Sequence, residues 1–159
     1  MTAPEWIRRP VQRIASADWF ADMAPRFVPP TDRALNRLTR GRVMLSQWIV
    51  PSISLTTTGA RTGQRRTTPL AAVPLRGAHY VVASNFGRER HPAWSYNLMA
   101  NPEAEMTIGG TTRQVHAELL DPEDKERVWP ELVAVWPPYD RYVERSGRDL
   151  RVFRLEEPD

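Results

Sequence analysis

Short β-rich runs separated by glycine-bearing turns dominate residues 52–120. Residues 52–58, 67–75 and 79–84 are three such runs, the last two joined by Arg76-Gly77-Ala78. They predict a meander of short antiparallel strands and not a βαβ unit. Residues 104–108 and 111–120 predict a hairpin turned by Gly109-Gly110. In its second arm Gln114, His116 and Glu118 alternate with Val115, Ala117 and Leu119, so one face is wet and His116 lies on the solvent side. Residues 150–155 read as a last strand.

Helices are marked by their ends. Pro92 suits a first helical turn, residues 93–100 follow, and Asn101-Pro102 stops them. Trp94, Asn97 and Leu98 share one face of that helix. Asp121 caps a second helix with Pro122 at its first position and Asp124 three residues on. Pro130 is expected to kink or restart it, and Pro137-Pro138 to end it. Residues 139–145 make a final short helix with Tyr139 and Tyr142 on one side.

Upstream, Trp6, Ile7, Val11 and Ile14 recur at helical spacing despite Pro10. Packing of this segment on the strands or on a partner chain is the favoured reading. The second is an interfacial segment at an anionic membrane, because Trp with Arg is the composition such segments use. Residues 27–31 form a connector, and Asp32 caps a helix to about residue 40 with Leu35 and Leu38 inward. Residues 1–50 are thus expected to be a helical extension packed on a strand-rich domain of residues 51–159.

Composition narrows the chemistry. The chain has 159 residues and 41% hydrophobic content, enough for one folded domain with a real core. It has no cysteine, and His79, His91 and His116 show no metal-ligand spacing, which argues against thiol chemistry and a transition-metal site. No signal peptide is evident in residues 1–10, and no apolar run approaches the roughly 20 residues a membrane span needs. The cytoplasm is the expected compartment.

The net charge of +3 conceals an asymmetry. No Asp or Glu occurs from Ala34 through Arg88, whereas Arg37, Arg40, Arg42, Arg61, Arg65, Arg66, Arg76 and Arg88 do. Such a stretch implies an anionic partner. Its most concentrated part is the turn in residues 55–69, LTTTGARTGQRRTTP. Gly59 and Gly63 let backbone amides approach a ligand, and the arginines offer planar forks for phosphate or carboxylate. A hairpin whose arginines simply face solvent fits the same residues. Gly-x-Gly-x-x-Gly and the P-loop are both absent, which disfavours Rossmann-type dinucleotide binding. Nucleic acid ranks last as partner, because the arginine-rich half carries no recognition motif and few stacking aromatics.

Three blocks, LTTTGARTGQRRTTPL, YVVASNFGRERHPAWSYNLMANPE and VWPELVAVWPPYDRY, resemble in order and spacing the deazaflavin-dependent nitroreductases, also described as quinone reductases dependent on reduced coenzyme F420. The resemblance covers residues 54–155. It implies a mainly β fold with flanking helices: a split β-barrel of six antiparallel strands, similar to the FMN-binding split barrels. It also implies coenzyme F420 as cofactor, a deazaflavin with a phosphate and oligoglutamate tail, and hydride transfer to a quinone or nitro acceptor. By the same resemblance Arg61, Thr62, Gly63 and Arg66 hold the tail, and Thr67, Thr68 and Pro69 line the groove. Ser84, Asn85, Trp94 and Asn97 are further cofactor contacts. Trp136, Tyr139 and Tyr142 enclose the acceptor, with one of the tyrosines or solvent delivering the proton. A monomer or a homodimer is compatible with all of this. The alternative is a non-catalytic module holding F420, flavin or haem in the same groove. The chain departs from the family pattern at Ala60, Arg65, Ala71, Ser95-Tyr96 and Trp136, which bears on acceptor identity more than on cofactor class.

Overall fold

The computed structural model describes residues 9, 10, 34, 38 and 50–159. Leu38, expected to face inward, is instead 82% exposed. Apart from those isolated positions, the expectations made for residues 1–49, membrane contact included, lie outside the described residues. Within them, seven strands form one antiparallel sheet: β1 Ser52–Thr58, β2 Arg65–Ala71, β3 Val73–Leu75, β4 Ala78–Val82, β5 Glu103–Ile108, β6 Thr111–Leu119 and β7 Val152–Glu156. Their order is β2-β1-β5-β6-β7-β4-β3. The two edge strands, β2 and β3, are separated in the chain only by Ala72. The sheet must therefore curl until its edges approach, which makes a half-barrel.

The expected six strands are corrected to seven by that same residue. Up to Ala71 the predicted run 67–75 pairs with β1; from Val73 it pairs with β4. Ala72 is buried at the corner, its N–H donating to Pro51 O at 2.8 Å. A strand that changes partner has to bend, and β propensity does not register a change of partner. Pro69 is tolerated because β2 is an edge strand, where a missing donor leaves no ladder bond unmade on the open side.

Among the described residues from 50 onward, three α-helices cover the sheet: α1 Ala93–Ala100, α2 Pro122–Val135 and α3 Pro138–Ser146. Pro92 stands just outside α1, at its N-cap. Asp121 caps α2 as the spacing implies, accepting the Asp124 N–H at 2.8 Å. Pro130 neither ends nor restarts α2, which runs on to Val135. The buried Val128 and Leu132 lie either side of Pro130 and anchor the helix across it, tertiary packing outweighing one lost backbone bond. Gly147, at φ 61°, ends α3 in the left-handed conformation glycine favours.

Alternation along the strands produces two cores. Val81 and Phe153 face the inside of the curl, with Ile53, Leu55, Met106 and Val115, and α1 plugs that space with Trp94 and Leu98. Tyr80 and Val152 point the other way and meet Leu132, Trp136, Tyr139 and Tyr142 of the α2–α3 layer.

Candidate functional site

The hairpin between β1 and β2 is built by its own backbone. Gly59 N–H donates to Gln64 O and Gly63 N–H to Gly59 O, both at 2.8 Å, and Gly63 takes φ 69°. Gln64 N–H reaches Thr62 Oγ1 at 3.3 Å. The amides of Arg61 and Thr62 have no partner among the described residues, so they are what this turn can offer an anion. The guanidinium groups divide. Arg65 is paired with Glu105 at 2.7 Å, and Arg76 with Glu131. Arg66 bonds only the neutral Gln64 Oε1, at 3.0 Å, and Arg61 has no carboxylate partner among the described residues. Two exposed, uncompensated cations therefore flank two open amides.

Helix α1 fixes where that hairpin sits. Asn97 is buried, with Oδ1 accepting the Ala60 N–H at 2.9 Å and Nδ2 donating to Thr57 Oγ1 at 3.0 Å. Both ends of the amide are thus spent inside the chain. Trp94 is buried too, its ring edge-on to Phe153 at 5.8 Å in the inner core. Asn97 therefore ties the hairpin to α1, and Trp94 belongs to the inner core.

Between β4 and α1 the chain makes an uncommon left-handed turn. Asn85, Phe86 and Gly87 all have positive φ, at 47°, 56° and 74°. Asn85 Nδ2 donates to Arg90 O at 2.8 Å, and the Phe86 ring packs edge-on against Tyr142 at 6.3 Å. Gly87 has to be glycine twice over. A Cβ there would lie 3.2 Å from Tyr142 Cα and 3.0 Å from Arg145 Cδ.

The tyrosines of α3 are enclosed. Tyr139 is 2% exposed and Tyr142 3%. The Tyr139 hydroxyl has no hydrogen-bond partner among the described residues, and burial pushes its pKa well above the ordinary 10, helped by Tyr142. Burial pushes Tyr142 up to about 12, opposed by a hydrogen bond with Trp136 and by Arg145. An orphaned buried hydroxyl is an unmet demand for a partner. Such a group can donate to a developing oxyanion, and here it stays protonated at any physiological pH.

Strand β2 connects these parts. It leaves the hairpin at Arg65, carries Thr67, Thr68 and Pro69, and ends at Ala71, which packs against the outer aromatic cluster. From Arg66 to Ala71 a strand spans about 17 Å at ~3.4 Å per residue. The residues expected at the site thus fall into a cationic end, the strand β2 and an aromatic end, with Trp94 and Asn97 buried on α1. Two contributors escaped sequence reasoning. Phe86 gave no signal because its left-handed geometry is unusual for an aromatic. Arg148 clasps the loop that Phe86 belongs to from 60 residues further along the chain, through Arg88 O.

Fold and side-chain placement together define an antiparallel half-barrel with an exposed cationic hairpin at one end of β2 and a buried aromatic cluster at the other. A family profile described as F420H(2)-dependent quinone reductase matches residues 31–157, and the chain belongs to that family. It is 36% identical over 113 residues to an F420H(2)-dependent quinone reductase of Mycobacterium tuberculosis, covering 66% of this chain and 72% of that protein. Among solved structures it is similar to an F420-H2 dependent reductase, with a TM-score of 0.61 and 36% identity over 67% of this chain and 94% of the other. Another similar structure, described as a domain-swapped dimer, has a TM-score of 0.63 and 32% identity over 80% of this chain and 99% of the other.

Proposed function

We propose that this protein is an F420-dependent reductase that holds reduced coenzyme F420 along β2 and passes its hydride to a quinone or a nitro compound. The observation that carries this reading is the pairing of opposite chemistries at the two ends of one strand. Among the described residues Arg61, in the turn before β2, and Arg66, in its first residues, have no carboxylate partner, and the Tyr139 hydroxyl without a partner lies in the aromatic cluster that the far end of β2 meets. A long ligand with a planar head and an anionic tail matches that spacing. In this reading the half-barrel is the split barrel of the family.

The bound cofactor would supply the hydride, and the protein binding, orientation and proton management. Arg61, Arg66 and the open amides of Arg61 and Thr62 hold the anionic tail, with Gly63 giving the turn its shape. Thr67, Thr68 and Pro69 form the wall, and Ser84 and Asn85 close the groove from the β4–α1 loop. Trp94 and Asn97 act through what they support. Trp136, Tyr139 and Tyr142 enclose the acceptor, with one of the tyrosines or solvent delivering the proton, and Tyr139 brings a buried hydroxyl that has no partner among the described residues. The residues named here all lie in the barrel domain of this reading, residues 51–159, with residues 1–50 as its N-terminal extension. We place the protein in the cytoplasm, as a monomer or a homodimer; among the described residues no helix is long and apolar enough to cross a membrane.

The test is to mix the protein with reduced F420 and menadione and follow the returning absorbance of the oxidised cofactor. Turnover supports the proposal. Tight binding with no turnover across several quinones and nitroaromatics would instead select a cofactor-holding module, and absence of binding removes both.

A further inference from the structure

Arg148 follows α3, one residue beyond the glycine that ends it, yet its guanidinium is spent on the β4–α1 loop. Nη2 donates to Ser84 O at 2.9 Å, Nε to Arg88 O at 2.8 Å, and Nη1 to His91 Nδ1 at 2.7 Å, with a longer contact to Ala83 O at 3.5 Å. These acceptors lie on both sides of the left-handed turn, two before it and two after it. The turn itself is conformationally expensive, because Asn85 and Phe86 both sit at positive φ without being glycine. Its own backbone supplies only Gly87 N–H to Ser84 O at 2.9 Å and Arg88 N–H to Asn85 O at 3.1 Å. Strain of this kind persists only where the surroundings over-determine it. Beside the Asn85 Nδ2–Arg90 O bond, the guanidinium fork spans the turn and pins the residues before it to those after it, a task its planar geometry suits and a lysine ammonium does not.

We propose that Arg148 is a positioning residue for cofactor binding: it locks the left-handed turn so that Ser84 and Asn85 close the groove and Phe86 backs Tyr142. It acts through the loop and touches neither cofactor nor acceptor. The inference rests on the reading of Ser84 and Asn85 as groove residues. Its consequence is specific. Loss of the fork frees the turn to relax toward ordinary φ, which removes one wall of the groove while the half-barrel and α1 stay in place.

The experiment compares wild type, R148Q, R148K and a control, R127Q, whose arginine pairs among the described residues with Glu123 and Asp124 on the surface of α2. Each is titrated with F420 by fluorescence, assayed for KM and kcat, and examined by amide hydrogen exchange. For R148Q we expect F420 binding weaker by ~10-fold and KM raised in step, with kcat held within ~3-fold, the pattern of lost binding and not of lost chemistry. Exchange at the Gly87 and Arg88 amides should quicken while sheet and α1 amides keep their protection. R148K should lie nearer R148Q than wild type, and R127Q should match wild type. Unchanged exchange at Gly87 and Arg88 in R148Q would overturn the clamp. Quickened exchange with F420 affinity within about twofold of wild type would overturn its role in binding. If R148Q does not fold, R148K decides by the same two measurements. Failure of the wild type to bind F420 would sink the proposed function instead, and the exchange experiment would still judge the clamp.

Discussion

Asn97 on α1 and Ala60 in the basic hairpin are joined by one hydrogen bond, the Ala60 N–H donating to Asn97 Oδ1 at 2.9 Å across 37 residues of sequence. The other end of the same amide holds Thr57, so a single buried side chain ties the hairpin to the helix that plugs the half-barrel. Replacing Asn97 with alanine strands the Ala60 amide and the Thr57 hydroxyl together. Asn97→Ala should lower stability by about 1–3 kcal/mol in urea unfolding. It should also weaken F420 binding, since the hairpin loses its anchor; retained affinity would show that the hairpin holds its shape alone.

The three arginines of the hairpin should not be equivalent. Arg66→Ala and Arg61→Ala each remove an uncompensated cation and should weaken F420 binding by ~1.5–3 kcal/mol where a charged hydrogen bond is lost. Arg65 is already paired with Glu105, so Arg65→Ala should change the dissociation constant much less. Titration at low and moderate salt checks this ranking, the first two variants each losing part of the salt dependence and Arg65→Ala little of it.

Tyr139→Phe should separate stability from activity. The hydroxyl it removes is buried and unpartnered, so the ligand-free protein should be as stable as wild type or slightly more so. Turnover should nevertheless fall, if this hydroxyl supplies the proton. The same burial gives an alkaline signature. Both phenols have folded pKa values raised above the ordinary 10, Tyr142 to about 12, so their stabilising contribution is complete below pH 10 and lost as pH rises through those values. Phenolate absorbance from these two residues should emerge together with unfolding.

On the acid side His91 carries the opposite sign. Burial, then the neighbouring Arg151 and Arg148, hold its pKa below the ordinary 6.5, with Asp149 opposing them more weakly. The folded state therefore resists protonation that the unfolded chain accepts. Stability is complete above pH 6.5 and falls as pH drops from there toward the depressed folded value. His79 is shifted the same way, by burial and Arg113. His91→Gln should flatten part of that slope in denaturation measured from neutral to mildly acid pH.

Glycine substitutions should rank by their surroundings. Gly63 and Gly87 both have positive φ, but a Cβ at Gly63 meets open space, whereas one at Gly87 meets the Tyr142 backbone. Gly63→Ala should cost about 1–2 kcal/mol from conformation alone. Gly87→Ala adds overpacking of ~1–3 kcal/mol and should also displace Phe86 from Tyr142. Thermal melts of the two variants test the difference.

Much of this molecule was legible along the chain. Alternation marked β6, Gly109-Gly110 its turn, Asp121 the start of α2, and the acid-free stretch the cationic hairpin, because each depends on neighbours a few residues apart. Side-chain period, turn chemistry and capping are short-range, so order along the chain suffices to read them. Other features depend on residues that meet only when the sheet curls. Nothing near Ala72 announces that its two sides pair with different strands. Which arginines stay available was settled by Glu105 and Glu131, each far from its partner in sequence. The spent amide of Asn97, the orphaned hydroxyl of Tyr139 and the grip of Arg148 likewise follow from register and helix docking. Those are set by burying two separate cores at once, an optimum over the whole chain that no local pattern encodes.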